Sequence, residues 1–371
     1  MNSLLFLGSF AFLLKNVYGT VSPYRDSGDL ISSAFSLGIA HPPGYSLYTL
    51  LTRAGIAVLP LGNVAYRVNV LSSVWTSLTV VLIFQIARKI TSAWPALVAA
   101  MVWFLSPSVL RLSAVSEMYS LYAFFCALIL GTVLEGHFGA AFFLTGLGMM
   151  NQPTIVFILP GVLLAWRAAE PNAGIKKINE AVLFSTLGLL GFSLVLFYPL
   201  RSFQRPLINW GEPETLRNLW RLITRADYGG LKLHPEESRF SWSSSGVRDQ
   251  LALFARAEWR ELGILGLGAA GLGLFRSIEK IPKVCALVCG ATFLISGPLF
   301  IILSNLPVRE ETTLPILEPY FLMINLFALP WLAKGFERMK FLSPALLLVL
   351  VLSSTNQIGR ASCRERVCQY V

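Results

Sequence analysis

The chain has 371 residues, 55% hydrophobic and 13% charged, with a net charge of +10 and a mean hydropathy of +0.63. This balance excludes a water-facing globule, a disordered chain and a disulfide scaffold. Stretches of about 20 apolar residues, the length that crosses a bilayer, recur from Met1 to Asn356, so a single anchor is excluded too. The expected class is an all-α, polytopic integral membrane protein.

In chain order, the first apolar run covers 3–18. It lacks a basic start and a small-residue cleavage site, so it reads as a span rather than a signal peptide. The loop 19–67 follows, with Asp26 and Asp29 flanking Ser27-Gly28. Carboxylates at a membrane boundary suit general-base work, and Asp-Ser-Gly-Asp also suits a turn and a helix cap. His41-Pro42-Pro43-Gly44-Tyr45 comes next. The prolines bar a helix and fix the approach of the next segment, while His41 either serves an anionic oxygen or caps the turn. Residues 46–61 form an amphipathic stretch in which Arg53 is placed to meet lipid headgroups or a lipid phosphate.

Spans are then expected at 68–87 and 94–110, with Glu117 in the short loop 111–117 beside Tyr119 and Tyr122. Glu117 suits sugar hydroxyls, or simply the start of a helix. Further spans follow at 118–134, 138–151, 154–167 and 181–199, the middle pair broken by Asn151-Gln152-Pro153. That pair reads as two half-spans whose broken backbone needs protein or water to cover it. The long polar stretch 200–261 opens with Arg201, Arg205, Trp210 and Glu212. Guanidinium forks suit phosphate and an indole face suits a sugar ring, although both residue types also anchor proteins at membrane interfaces. Within this stretch, 214–222 and 247–259 have the pattern of surface-lying amphipathic helices. The last expected spans, 262–276, 284–304, 318–334 and 342–357, bring the total to about eleven.

Residues 358–368 read IGRASCRERVC, the translation of a common short-read sequencing adapter in one frame. Residues 358–371 are therefore set aside as an assembly scar, the domain is taken as 1–357, and the native chain is expected to continue past Gln357. Setting aside Arg360, Arg364, Arg366 and Glu365 removes three positive charges and one negative, leaving +8. Cys126, Cys285 and Cys289 lie in apolar runs and imply no disulfide. The basic loops at 88–89, 167–177, 276–283 and 334–340 are expected to face the cytoplasm. That parity puts 19–67, 111–117 and 200–261, with a shorter loop near 305–317, outside together. The ten Lys or Arg of 200–261 do not oppose it, since long loops cross largely regardless of charge.

No phosphate loop, zinc helix or dinucleotide fingerprint is present, and His41, His137 and His234 are scattered, so neither a cofactor nor a metal is expected. The positive charge reflects membrane orientation rather than nucleic-acid binding. Chemistry is left to carboxylates and arginines on the outer side. A transporter or flippase of lipid-linked sugars is the alternative, but it calls for ionisable groups near the bilayer midplane, where these segments have almost none.

Five blocks in order carry a resemblance: DSGDLISSAFSLGIAHPPGYSLYTLLTRAG, NVAYRVNVLSSVW, SEMYSLYAFF, YPLRSFQRPLINWGEPETL and RADYGG. They resemble a protein O-mannosyltransferase family long catalogued as a domain of unknown function, a branch of the GT-C glycosyltransferases. The resemblance runs from Tyr24 to Tyr228. It implies a GT-C-like bundle that moves a sugar, mannose or a similar hexose, from a polyprenyl-phosphate carrier to an acceptor protein or glycan. The transfer would occur at the outer face of a bacterial cytoplasmic membrane, or at the lumenal face of the endoplasmic reticulum in a eukaryote. By position, Asp26 would be the acid that activates the acceptor hydroxyl and Asp29 its acidic neighbour. His41, Tyr45, Arg53, Glu117, Arg201, Arg205, Trp210 and Glu212 would contact substrate. The family pattern Gly-Asp-Ser-Gly-Glu is altered here, with Arg25 before Asp26 and Asp29 in place of the Glu.

Overall fold

The computed structural model describes residues 1–23, 25–169, 175–229, 244–304, 306, 308 and 313–339. These are almost entirely helical, and among them the β element is one isolated parallel bridge between Ile39 and Asn209. The expected last span 342–357 and the adapter-like tail lie outside the described residues, as do His234 and residues 305, 307 and 309–312 of the loop near 305–317.

Helix α1 (Asn2–Leu14) occupies the leading apolar run, followed by α2 (Ser27–Ser36), α3 (Ser46–Val58) and α4 (Val64–Arg88). The two prolines before α3 hold the chain out of a helix until Tyr45, and the Asn63 side chain caps α4 by accepting the Tyr66 N–H. The expected span 94–110 is two helices, α5 (Ala93–Phe104) and α6 (Pro107–Leu112). The cause is local: Pro107 disfavours a helical Ser106, which is extended here.

Helices α7 (Tyr119–Leu134) and α8 (Phe138–Met149) precede the Asn151-Gln152-Pro153 break, after which a 3-10 turn, Pro153–Ile158, leads into α9 (Leu159–Ala169). The break falls where the sequence places it, and protein covers it: Asn151 is buried and its amide donates to the Met118 carbonyl at 3.1 Å. Next come α10 (Ile175–Phe192), α11 (Phe197–Ser202), α12 (Leu216–Ile223) and α13 (Ser244–Ser277). Helix α12 matches the amphipathic run expected at 214–222, with Thr215 as its cap. Helix α13 joins the second surface run to the next apolar segment through a break at Gly263 (φ 61°, ψ −178°). The chain continues through α14 (Lys283–Leu294), α15 (Phe300–Ser304), α16 (Thr313–Leu317), α17 (Phe321–Phe327) and α18 (Leu329–Arg338).

The protein is thus a multi-pass membrane protein, but its spans are uneven. Among the described residues, three helical runs are long and apolar enough to cross, Val64–Arg88, Ile178–Ser202 and Lys283–Ser304. The bent pair Thr313–Phe327 and Leu329–Arg338, with 56° between its parts, would make a fourth. Five further apolar helices are shorter, among them α1, whose 13 residues reach about 20 Å where the hydrocarbon core is about 30 Å. Among the described residues, the expected spans are therefore not all reproduced as full-length helices: the break at Pro107 divides the run 94–110, and α1 and the half-spans on either side of Pro153 are short.

Small residues set the tightest packing. A Cβ on Gly146 of α8 would run into the Gly188 carbonyl of α10, so these backbones touch as only glycine permits. The core around α5, α7 and α17 is sealed by Trp103, buried, whose indole N–H donates to the Leu322 carbonyl at 3.0 Å.

Candidate active site

The N-terminal half of α4 has a polar face that holds the site loops. Asn69, Ser72, Ser73 and Thr76 recur at helical spacing and all are buried. Asn69 donates to the Tyr18 and Thr20 carbonyls at 2.9 Å, which pins the chain between α1 and α2. Ser72 and Ser73 donate to the Val115 and Ser113 carbonyls at 2.7 and 2.8 Å, and Ser116 bonds to the Asn69 side chain. The polar residues of an otherwise apolar span thereby bring the loops carrying Asp26 and Glu117 together.

The two acids meet directly. The Asp26 backbone N–H donates to Glu117 Oε1 at 3.1 Å, while Glu117 Oε2 is buried without a hydrogen-bond partner among the described residues. Glu117 is fully buried, and burial first, then the Asp26 charge, pushes its carboxyl up to about 8. Asp26 differs: its side chain is 48% exposed and reaches open space.

His41 links Asp26 to Asp29. Its Nδ1 lies 2.6 Å from Asp29 Oδ2, and its backbone N–H donates to the same oxygen at 3.1 Å. Its Nε2 faces Asp26 Oδ2 at 3.5 Å and the Tyr45 hydroxyl at 3.4 Å. On the other side of Asp29, the Trp210 indole N–H donates to Oδ1 at 3.3 Å. Burial pushes Asp29 up, but the His41 bonds and charge and the Trp210 bond outweigh it and hold the carboxyl below its usual value. Asp29 sits in the first turn of α2, so its position agrees with the helix-start reading. What its carboxylate does is hold the imidazole.

Rigid backbone presents these groups. Gly44 takes φ 100°, and a Cβ there would strike the Tyr198 ring, so the turn closes against that tyrosine as only glycine allows. The Tyr198 hydroxyl in turn accepts the Ser46 N–H at 3.1 Å at the start of α3.

Of the residues singled out from sequence, Asp26, Asp29, His41, Tyr45, Glu117 and Trp210 come together. Arg201 lies beside them with its donors engaged: Nε and Nη2 bond to the Leu37 and Ser36 carbonyls at 2.6 and 3.0 Å, and Nη1 to Gln204. It closes the C-terminal end of α2. Arg53 donates to the Phe35 carbonyl at 2.7 Å and lies over that ring, away from the acids. Arg205 is exposed with φ 48°. Glu212 lines a neighbouring cavity rather than the acid cluster.

Two arginines outside that set approach it. Arg25 lies 6.0 Å from the centre of the Tyr119 ring, and its charge opposes the rise of the Glu117 carboxyl. Arg225 acts on the buried Tyr45 hydroxyl, and its Nε is buried with no hydrogen-bond partner among the described residues. Arg25 stands out in sequence only by preceding Asp26, and Arg225 only by opening the RADYGG block. Tyr48 and Tyr320, both buried, complete the aromatic wall, with no sequence signal beyond their tyrosine identity.

Residues 26–172 match the model of the protein O-mannosyl-transferase TMEM260 N-terminal domain, the segment that holds Asp26, Asp29, His41 and Glu117. The chain is 31% identical over 232 residues to protein O-mannosyl-transferase TMEM260 of Mus musculus, covering 58% of this chain and 32% of the relative. It is 24% identical over 354 residues to protein O-mannosyl-transferase tmem260 of Dictyostelium discoideum, covering 87% and 42%. The chain therefore spans well under half the length of these curated relatives. Its fold is similar to that of ArnT from Cupriavidus metallidurans bound to undecaprenyl phosphate, with TM-score 0.59 and 14% identity over 94% of this chain and 62% of that one. Family model, relatives and fold agree with the motif blocks: residues 26–172 are similar to the TMEM260 N-terminal domain, and the helical fold is similar to that of ArnT.

Proposed function

We propose that this protein is a membrane glycosyltransferase that moves mannose from a polyprenyl-phosphate carrier to a hydroxyl of an acceptor protein at the lumenal face of the endoplasmic reticulum. The observation that carries the reading is the exposed Asp26 carboxylate held against His41, which is itself fixed by Asp29, inside the matched domain. The O-mannosyl-transferase names of the relatives support the sugar and the protein acceptor. ArnT, described as bound to undecaprenyl phosphate, supports a polyprenyl carrier. Two eukaryotic relatives favour the endoplasmic reticulum over a bacterial membrane.

In this reading the acceptor oxygen attacks the anomeric carbon as the bond to the carrier phosphate breaks, and the polyprenyl phosphate leaves with the electron pair. Asp26 takes the hydroxyl proton as the new bond forms. Asp29 at Nδ1 orients the His41 ring, so that Nε2 faces Asp26 along the path by which that proton can leave. Glu117 stays neutral at pH 7, which spares Asp26 a second negative charge nearby. The carrier phosphate is assigned to Arg225, whose Nε is buried with no hydrogen-bond partner among the described residues, since the Arg201 donors are already engaged. The apolar runs of 1–357 are read as eleven crossings of one domain with 200–261 outside, and residues 358–371 as non-native.

The test is incubation of membranes holding the protein with polyprenyl-phosphate mannose and a panel of hydroxyl peptides and glycans, followed by mass spectrometry. Hexose added to peptide, and lost in Asp26→Asn, is the expected result. Transfer that survives unchanged in Asp26→Asn rejects the assignment.

A further inference from the structure

Beside the acid cluster lies a cavity of about 580 Å³, lined by Leu207, Ile208, Asn209, Trp210, Gly211 and Glu212 together with Asn218, Arg221 and Asp227. Its volume is in the range of pockets that take a small organic ligand or a short stretch of chain. It touches the reaction centre at Trp210, which lines the cavity and donates to Asp29. A molecule in the cavity therefore lies beside the proton-handling residues.

The lining speaks to what the molecule is. The parallel bridge uses the Ile208 carbonyl and the Trp210 N–H toward Ile39, at 2.8 and 3.2 Å. Because backbone groups alternate along an extended chain, the N–H and carbonyl of Asn209 fall on the opposite edge. There the Asn209 carbonyl is met only by the Glu212 N–H at 3.5 Å, and Asn209 Oδ1 is buried with no partner among the described residues. An extended polypeptide recognises such an edge through its own backbone. Leu207, 94% exposed at the rim, adds an apolar contact. Charge adds direction: Arg221 is bonded to Asp227, while the exposed Glu212 makes no ion pair among the described residues. Among the described lining residues, Glu212 thus leaves one uncompensated negative charge.

We propose that this cavity is the acceptor subsite and that it takes an extended, hydroxyl-bearing segment of polypeptide whose flanks are neutral or basic. The assignment rests on the transferase reading. Glu212 selects against acidic flanks, the Asn209 edge holds the backbone, and the Trp210 ring orders the hydroxyl toward Asp26.

The test uses the full protein in nanodiscs, polyprenyl-phosphate mannose, and two synthetic peptides with one threonine each, flanked by two lysines or by two glutamates. Hydrolysis of the donor by water is followed in parallel. The wild type is expected to prefer the lysine peptide in kcat/KM by about fivefold, the scale of two exposed charge contacts, and Glu212→Lys is expected to reverse the order. An unreversed preference, with donor hydrolysis intact, overturns the subsite. If Glu212→Lys loses donor hydrolysis, Glu212→Gln decides: a preference reduced to within about twofold supports the proposal and an undiminished one overturns it. Efficient transfer to a mannosyl glycan, with neither peptide used, also overturns it. A wild type that neither transfers nor hydrolyses the donor overturns the transferase reading instead.

Discussion

Among the described residues, two groups of carboxylates have buried members, and they are built differently. In the first, Glu117 supports an exposed Asp26, and His41 joins Asp26 to Asp29. In the second, Glu258, Glu261 and Glu318 are 5%, 7% and 3% exposed, so no member reaches open space. Glu261 there accepts the Ser108 hydroxyl at 2.6 Å and its N–H at 3.1 Å, tying α13 to the start of α6. Arg111 and Arg260 meet Glu318 at 3.2 and 3.7 Å, tying both helices to the turn before α17. Burial pushes Glu117 and Glu258 alike up to about 8. A raised carboxyl therefore does not mark a reaction site by itself. Access, and a partner able to move a proton, distinguish the first group.

The comparison is broken most directly by removing one carboxylate from each group. Asp26→Asn keeps shape and removes the base, so transfer is expected to fall about 100-fold or more with insertion unchanged. Glu258→Gln is expected to leave turnover within about threefold of wild type, because it replaces a closed-off acid by a neutral isostere. Both are read by the mannosyl-transfer assay in the same membranes. Equal losses would show that the second group is also chemical.

A smaller effect sharpens the first group. Arg225→Ala is expected to raise the KM for polyprenyl-phosphate mannose about tenfold or more, the cost of a charge-assisted contact to phosphate. Arg201→Ala should slow turnover by a few-fold through the C-terminal end of α2, with little change in donor KM. Steady-state kinetics on the two variants separates them, and a larger donor KM effect at Arg201 would return the phosphate to the residue the sequence favours.

Much of the fold was legible because apolar length and proline position are properties of the chain itself. The break at Asn151-Gln152-Pro153, helix α12 and the change from surface run to apolar segment near Gly263 all fall where pattern and local chemistry put them. The break within 94–110 was legible in principle from Ser106-Pro107-Ser108 and was hidden by the apolar residues on either side of it. In the site, Asp26, Asp29 and His41 are close in sequence and could be grouped, but the role of Asp29 depends on where its carboxylate points. The opposing element, Trp210, comes from 181 residues away. Arg201 shows the limit from the other side. A guanidinium beside a span suits phosphate, yet two backbone carbonyls at the C-terminal end of α2 reach it first, and no local pattern records that.

The smallest expected effect concerns pH, and it tests whether the two raised carboxyls differ in consequence. Burial first, and then the Glu261 charge, pushes Glu258 from 4.5 up to about 8. The folded state therefore binds its proton more tightly than the unfolded one. The stabilisation is fully present below the unfolded value and is lost as pH rises through the folded one, between about 4.5 and 8. Thermal stability in detergent should accordingly fall from pH 6 to pH 9, and Glu258→Gln, which cannot ionise, should flatten that fall by a few degrees. Glu117 has the same sign, since burial and the Asp26 charge raise it, but its ionisation places a second charge beside the base. Glu117→Gln should therefore flatten the alkaline side of the turnover profile between pH 7 and 9, which Glu258→Gln should leave in place. If Glu258→Gln instead reshapes the turnover profile and Glu117→Gln only the melting curve, the roles assigned to the two groups must be exchanged.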